Sequence, residues 1–152
     1  MNLNEIFSED MIFLKKKFKD KNEAIEFLVS QLAEKGKINS KDDILSALLE
    51  REEINSSGVN DQIAIPHLRR DDVDDFVATL CTLKTGIDFG SLDGEDVMII
   101  LILLAPKKQA NPYLTLLARF SRIFKKAENR SKILDFTDPV ELISFIREQE
   151  EA

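Results

Sequence analysis

Nine consecutive apolar residues, Val97-Met98-Ile99-Ile100-Leu101-Ile102-Leu103-Leu104-Ala105, constrain this chain more than any other stretch. A strand that alternates apolar and polar residues can leave one face in water. This one cannot, so both of its faces must be covered. The run is well short of the ~20 residues that a membrane-spanning helix needs. A central strand between two helical layers satisfies it.

The rest of the chain supplies those layers. Met11 to Phe18 reads as an edge strand, with Ile12, Leu14 and Phe18 on one face and Lys15 and Lys17 on the other; lysines discourage stray pairing at an edge. Asp20 and Glu23 form a capping pair before an apolar stripe of Ala24, Ile25, Leu28 and Leu32, and Gly36 can close that helix. Ser40 to Asp43 repeats the start signal. Ile44, Leu45, Leu48 and Leu49 carry the second helix to about Glu53. A short strand, Ile63 to Ile65, follows a polar loop, and Pro66 should end its pairing. Leu68 to Asp75 reads as a solvated loop and Phe76 to Leu83 as a strand. Gly86, Gly90 and Gly94 mark turns. Pro112 can start a helix with the stripe Tyr113, Leu116, Leu117, Phe120, Ile123 and Phe124. Asn129 can cap a short helix ending near Phe136, and Asp138-Pro139-Val140-Glu141 opens the last one. The expected fold is α/β: a single domain over residues 1–152, three layers deep, with a central mixed sheet and helices on both faces.

Composition narrows the function. A net charge of −7 argues against nucleic acid or an anionic membrane as the main partner. Cys81 is the one cysteine, so no internal disulfide forms, and its apolar surroundings point to an inert buried thiol. That usage, with an N-terminus lacking the basic and apolar regions of a signal peptide, points to the cytoplasm. One histidine and one cysteine cannot build an ordinary structural zinc site. No glycine-rich phosphate loop with a following lysine is present, and no nucleophile-elbow sequence. Neither a metal nor a cofactor is expected.

The histidine is His67. It closes a segment of seventeen residues, Arg51-Glu52-Glu53-Ile54-Asn55-Ser56-Ser57-Gly58-Val59-Asn60-Asp61-Gln62-Ile63-Ala64-Ile65-Pro66-His67. Taken singly, His67 reads as a surface residue, Arg51 as a favourable charge at a helix C-terminus and Ser57-Gly58 as a turn. Together they suggest phosphoryl chemistry. A neutral imidazole is a nucleophile toward phosphorus. The transfer needs in-line positioning and donors for three equatorial oxygens. Ser56, Ser57 and the backbone N–H groups of Gly58, Val59, Asn60 and Asp61 are candidate donors, and Arg51 offers a guanidinium fork.

The segment resembles the active-site stretch of mannitol/fructose-type (type 2) enzyme IIA domains of the bacterial phosphoenolpyruvate:sugar phosphotransferase system, nitrogen-regulatory members included. Their pattern is Arg-Glu, then Ser-Thr-Gly-Ile-Gly, then Ile-Ala-Ile-Pro-His. It stands here as Arg51-Glu52, Ser56-Ser57-Gly58-Val59-Asn60 and Ile63-Ala64-Ile65-Pro66-His67 without a gap. The resemblance implies that His67 accepts phosphate on Nε2 from the phosphocarrier protein HPr or its nitrogen-branch relative. It also implies that His67 passes the phosphate to a cysteine of an enzyme IIB, with Arg51 and Ser57 supporting the phosphoryl group. Three departures stand out. Ser57 replaces a threonine, Asn60 and Gln62 replace glycines, and the second histidine of most members, placed at about Pro112, is missing. A free-standing chain with this incomplete site suits a regulatory member better than a sugar-specific one. The alternative is a binding module of the same fold whose His67 is not phosphorylated.

Overall fold

In a computed structural model describing residues 2–152, the apolar run is the middle of the sheet. Met1, the first residue of the segment read as no signal sequence, lies outside the described residues. Strand β5, Val97–Pro106, pairs antiparallel with β4, Val77–Ile87, in a register that sets Leu80 opposite Leu101. On its other side β5 pairs parallel with two short strands, β2 at Ile63–Ala64 and β3 at His67–Arg70. Strand β1, Ile12–Lys16, runs parallel to β4 at the far edge. Parallel and antiparallel pairs share one sheet, as expected.

Both faces of β5 are covered. Ile99, Leu101, Leu103 and Ala105 pack under helices α4 (Ala110–Phe124), α5 (Ala127–Asp135) and α6 (Pro139–Glu151), with the short α1 (Leu3–Ile6). Ile100, Ile102 and Leu104 pack under α2 (Lys21–Glu34) and α3 (Lys41–Ile54). The stripe of α4 is buried at Tyr113, Leu116, Phe120, Ile123 and Phe124, and the last two rings stack at 3.9 Å. That stacking adds a specific geometry to the area they remove from water. Among the described residues no helix is long and apolar enough to cross a membrane.

The capping signals at Asp20, Asp138 and Gly36 work as expected, whereas Ser40 stands at the N-cap of α3 without a side-chain capping hydrogen bond. The Asp20 carboxylate accepts from the Glu23 N–H at 2.9 Å, and Asp138 accepts from Val140 N–H at 2.9 Å. Gly36 takes a left-handed φ of 72°, which lets Lys37 N–H reach the Leu32 carbonyl and Gly36 N–H reach Ala33.

Five expectations need correction. Leu68 to Arg70 is not loop: Pro66 interrupts the edge, and pairing resumes at His67. Gly86 is not a turn but lies within β4, where a Cβ would sit 2.7 Å from Asp96 Cβ. Phe18 packs with Phe13 and Phe27 on the α2 face, opposite Ile12 and Leu14, because Lys15 adopts φ 55° and breaks the alternation. Asn129 is inside α5, buried, and donates to the Ile123 carbonyl at 2.7 Å, tying α5 to α4. Helix α4 begins at Ala110, before Pro112.

Candidate functional site

Helix α3 delivers two adjacent side chains to this region, one exposed and one buried. Arg51 lies exposed in the last turn. Glu52 continues the buried series Ile44, Leu48, Glu52, four residues apart, and is only 6% exposed. A carboxylate in that position must be paired to remain there. Its Oε2 accepts the Ser57 N–H at 2.7 Å, and its Oε1 faces the Lys21 ammonium at 3.5 Å.

The chain then folds back on itself. Val59 N–H donates to the Ile63 carbonyl at 2.8 Å, Ile65 N–H donates to the Ser57 carbonyl at 2.9 Å, and Gly58 bridges Ala64. Asp61 and Gln62 both turn left-handed, at φ 68° and 69°. The Gln62 carbonyl accepts from Met98 and Ile99 at 2.8 and 3.1 Å, which pins the turn to β5. Of the two residues that replace glycines, Gln62 takes the left-handed region and Asn60 does not.

This closure engages three of the four candidate amides, those of Gly58, Val59 and Asp61. Gly58 N–H donates to Ser56 Oγ at 2.9 Å, Val59 N–H is held by Ile63, and Asp61 N–H donates to Asp93 at 3.0 Å. The Ser56 hydroxyl is also engaged, as a donor to the Phe89 carbonyl. Among the described residues Ser57 Oγ is buried without a hydrogen-bond partner, as are Glu52 Oε1 and Ser91 Oγ close by. Gly58 is required for space, since an added Cβ would lie 2.3 Å from Ser91 Oγ and 3.0 Å from Phe89 Cβ.

His67 is the first residue of β3 and is half-buried. Its Nδ1 bonds the Ile65 carbonyl. A carbonyl only accepts, so Nδ1 carries the proton and the neutral ring keeps its lone pair on Nε2. A cavity of about 200 Å³ collects His67, Pro66, Arg51, Glu52, Asn55, Ser56, Ser57 and Leu48. The cation, the unpartnered hydroxyl and the imidazole thus share one small chamber.

Tyr113, at the start of α4, stands beside the imidazole with ring centroids 5.9 Å apart. The Arg69 guanidinium lies over the same phenol at 5.6 Å. Burial pushes the Tyr113 hydroxyl up to about 12, against the opposing pull of Arg51 and Arg69. Pro112 does not face His67. It lines a separate cavity of about 240 Å³ with Asp74, Asp75, Phe76, Pro106 and Gln109. The aromatic neighbour of the imidazole is thus one residue further on than the position the sequence suggested. A larger groove of about 550 Å³, between the N-terminal turn and β4, lies away from this chemistry.

Three participants had no role in the sequence reading: Glu52, which stood in the matched pattern, Tyr113, which stood in the α4 stripe, and Arg69. For Glu52 the signal was a charge placed four residues after Leu48 on an apolar stripe, beside its place in the Arg-Glu pattern.

Comparison with known proteins adds a lineage to this geometry. A family profile described as "Phosphoenolpyruvate-dependent sugar phosphotransferase system, EIIA 2" matches residues 5–149. The fructose-specific EIIA component of Haloferax volcanii is 30% identical over 134 residues, covering 88% of this chain and 87% of that protein. The fructose-specific EIIABC component of Bacillus subtilis is 28% identical over 150 residues, and the chain spans only 24% of its length. The crystal structure of the nitrogen regulatory protein IIA-Ntr from Neisseria meningitidis superposes with a TM-score of 0.88 at 24% identity, covering 95% of this chain and 98% of that one.

Proposed function

The chain belongs to the type 2 EIIA family of the phosphoenolpyruvate-dependent sugar phosphotransferase system, and on that premise we propose that it is a phosphoryl carrier whose acceptor atom is Nε2 of His67. The observation that carries this reading is the bond from Nδ1 to the Ile65 carbonyl, made beside a chamber that holds a free hydroxyl and a cation.

The step follows from that geometry. The Nε2 lone pair forms a bond to phosphorus while the P–N bond to the donor's phosphohistidine breaks, its electron pair returning to the donor ring. The His67 ring gains positive character, which the Nδ1–H bond to the Ile65 carbonyl stabilises. Arg51 and Ser57 Oγ serve as the donors to the equatorial oxygens. The donor is HPr or its nitrogen-branch relative. Onward transfer to an enzyme IIB cysteine forms an S–P bond and restores the lone pair.

Tyr113 inclines the reading toward a regulatory, nitrogen-type carrier rather than a sugar-specific one. A phenol stands beside His67 where most members carry a second histidine, so the site lacks the imidazole pair of a sugar-flux carrier. The engaged amides of Gly58, Val59 and Asp61 favour a second reading, a binding module of the same fold without phosphorylation.

Incubation with phosphoenolpyruvate, enzyme I and either HPr or its nitrogen-branch relative, followed by intact mass, separates the two. One acid-labile, base-stable phosphate is expected on the wild type and none on His67→Ala. Equal labelling of the variant removes His67 as acceptor, and no labelling from either donor leaves the binding module.

A further inference from the structure

The cavity around His67 has an anionic wall that the phosphate chemistry above does not use. Glu52 is 6% exposed, and its side chain is 3% exposed against 28% for its counter-ion Lys21. Burying a carboxylate beside a site that must accept a phosphoryl group is unfavourable twice over, through desolvation and through like charge. Its surroundings indicate what offsets that cost. Lys21 Nζ lies 3.5 Å from Oε1 and also donates to the Phe89 carbonyl at 3.4 Å, the acceptor that the Ser56 hydroxyl uses as well. Oε2 takes the Ser57 N–H at 2.7 Å. The first turn of α2, the last turn of α3 and the loop under His67 are thereby joined through one carboxylate.

We propose that Glu52 is a positioning residue for phosphoryl transfer: the anion, held by Lys21, fixes the Ser57 backbone so that the Ser57 hydroxyl stays an unpartnered donor in the wall of the His67 cavity. This rests on the carrier reading. The evidence for it is the combination of a fully used Ser57 backbone and an unused Ser57 side chain. The Ser57 N–H is spent on Glu52 and the Ser57 carbonyl on Ile65 N–H, while the buried Oγ has no partner. A buried hydroxyl without a bond is disfavoured in the free protein. A phosphoryl oxygen supplies the missing acceptor. Anchoring the backbone on both sides prevents the residue from rotating to satisfy its hydroxyl elsewhere.

The substitution Glu52→Gln is nearly isosteric. Its single carbonyl oxygen can accept from the Ser57 N–H or face the Lys21 ammonium, but not both, and its NH₂ sets a donor against whichever is left. Steady-state transfer from phosphorylated HPr, or from its nitrogen-branch relative, is measured on wild type, Glu52→Gln, Ser57→Ala and the double variant. Glu52→Gln should lower kcat about tenfold with KM for the donor unchanged, less than the loss on deleting a direct transition-state donor. In the Ser57→Ala background it should have no further effect, since the residue acts through that hydroxyl. Lys21→Met, on a partly exposed side chain, serves if Glu52→Gln fails to fold. It should slow transfer about threefold and show the same dependence on Ser57. Labelling of wild type with an unchanged kcat in Glu52→Gln, or additive losses in the double variant, overturns the proposal while leaving the carrier reading intact. Absence of label on the wild type overturns both.

Discussion

The sheet has two interrupted edges, and they treat the interruption in opposite ways. At the β1 edge the register slips between Phe13 and Lys16, and Lys15 swings to φ 55°. The freed Lys15 N–H is taken at once by Thr82 Oγ1 at 2.9 Å. At the other edge the break falls at Ile65-Pro66. The Ile65 N–H goes to the Ser57 carbonyl, the Pro66 carbonyl accepts from Leu103 at 3.1 Å, and the Ile65 carbonyl turns to the imidazole of His67. One break is sealed by a buried threonine. The other orients a titratable side chain. An edge interruption becomes a candidate site when side chains with chemistry to perform, rather than inert ones, fill the vacated hydrogen bonds.

The comparison breaks most visibly at Gly58. Gly58→Ala places a methyl against Ser91 Oγ and Phe89 Cβ, at 2.3 and 3.0 Å before relaxation. It should cost about 1–3 kcal/mol of stability and abolish rapid phosphorylation, measured by urea unfolding and by label uptake on the same sample. Arg51→Ala comes next. The side chain is exposed at a helix end, so the melting temperature should stay within a few degrees while the phosphorylation rate falls about ten- to a hundredfold. A normal rate with a much lower melting temperature would make Arg51 a structural residue instead. At the sealed edge Thr82→Val should do the reverse. It leaves the Lys15 N–H without its acceptor and costs about 1 kcal/mol, with the rate of labelling unchanged. The smallest effect concerns Tyr113 and pH. Its pKa is raised in the folded state, from 10.0 to about 12, so folding retains a proton that the unfolded chain releases. That contribution is complete below pH 10 and is lost as pH rises toward 12. Tyr113→Phe should therefore flatten the alkaline decline of the unfolding free energy without altering it near neutrality.

What was legible in the sequence was whatever a local pattern enforces. The unbroken run Val97 to Ala105 demanded cover on both faces, and α2/α3 on one side with α4 to α6 on the other provide it. Asp20, Gly36 and Asp138 marked helix ends through hydrogen bonds made within a few residues. The position of Arg51 followed from counting along α3. The failures all depend on distant partners. Proline before His67 suggests the end of a strand, yet β5 offers a parallel register that resumes beyond it. Loop amides near a glycine suggest an anion nest, yet Ile63, Asp93 and the Ser56 hydroxyl take three of the four. The residue beside His67 was placed at Pro112, and the phase of α4 makes it Tyr113. None of these could be read without knowing which segments meet.

The two edges differ in the end by one hydrogen bond, the one that leaves Nδ1 of His67 protonated and Nε2 open. Nitrogen-15 and phosphorus-31 NMR of the phosphorylated, uniformly labelled protein tests it most directly. The account predicts a single phosphorus resonance coupled to Nε2 of His67, with the Nδ1 proton retained and protected from exchange by the Ile65 carbonyl. Phosphorus coupled to Nδ1, or a base-labile phosphate on Ser57 in place of an imidazole adduct, would contradict it.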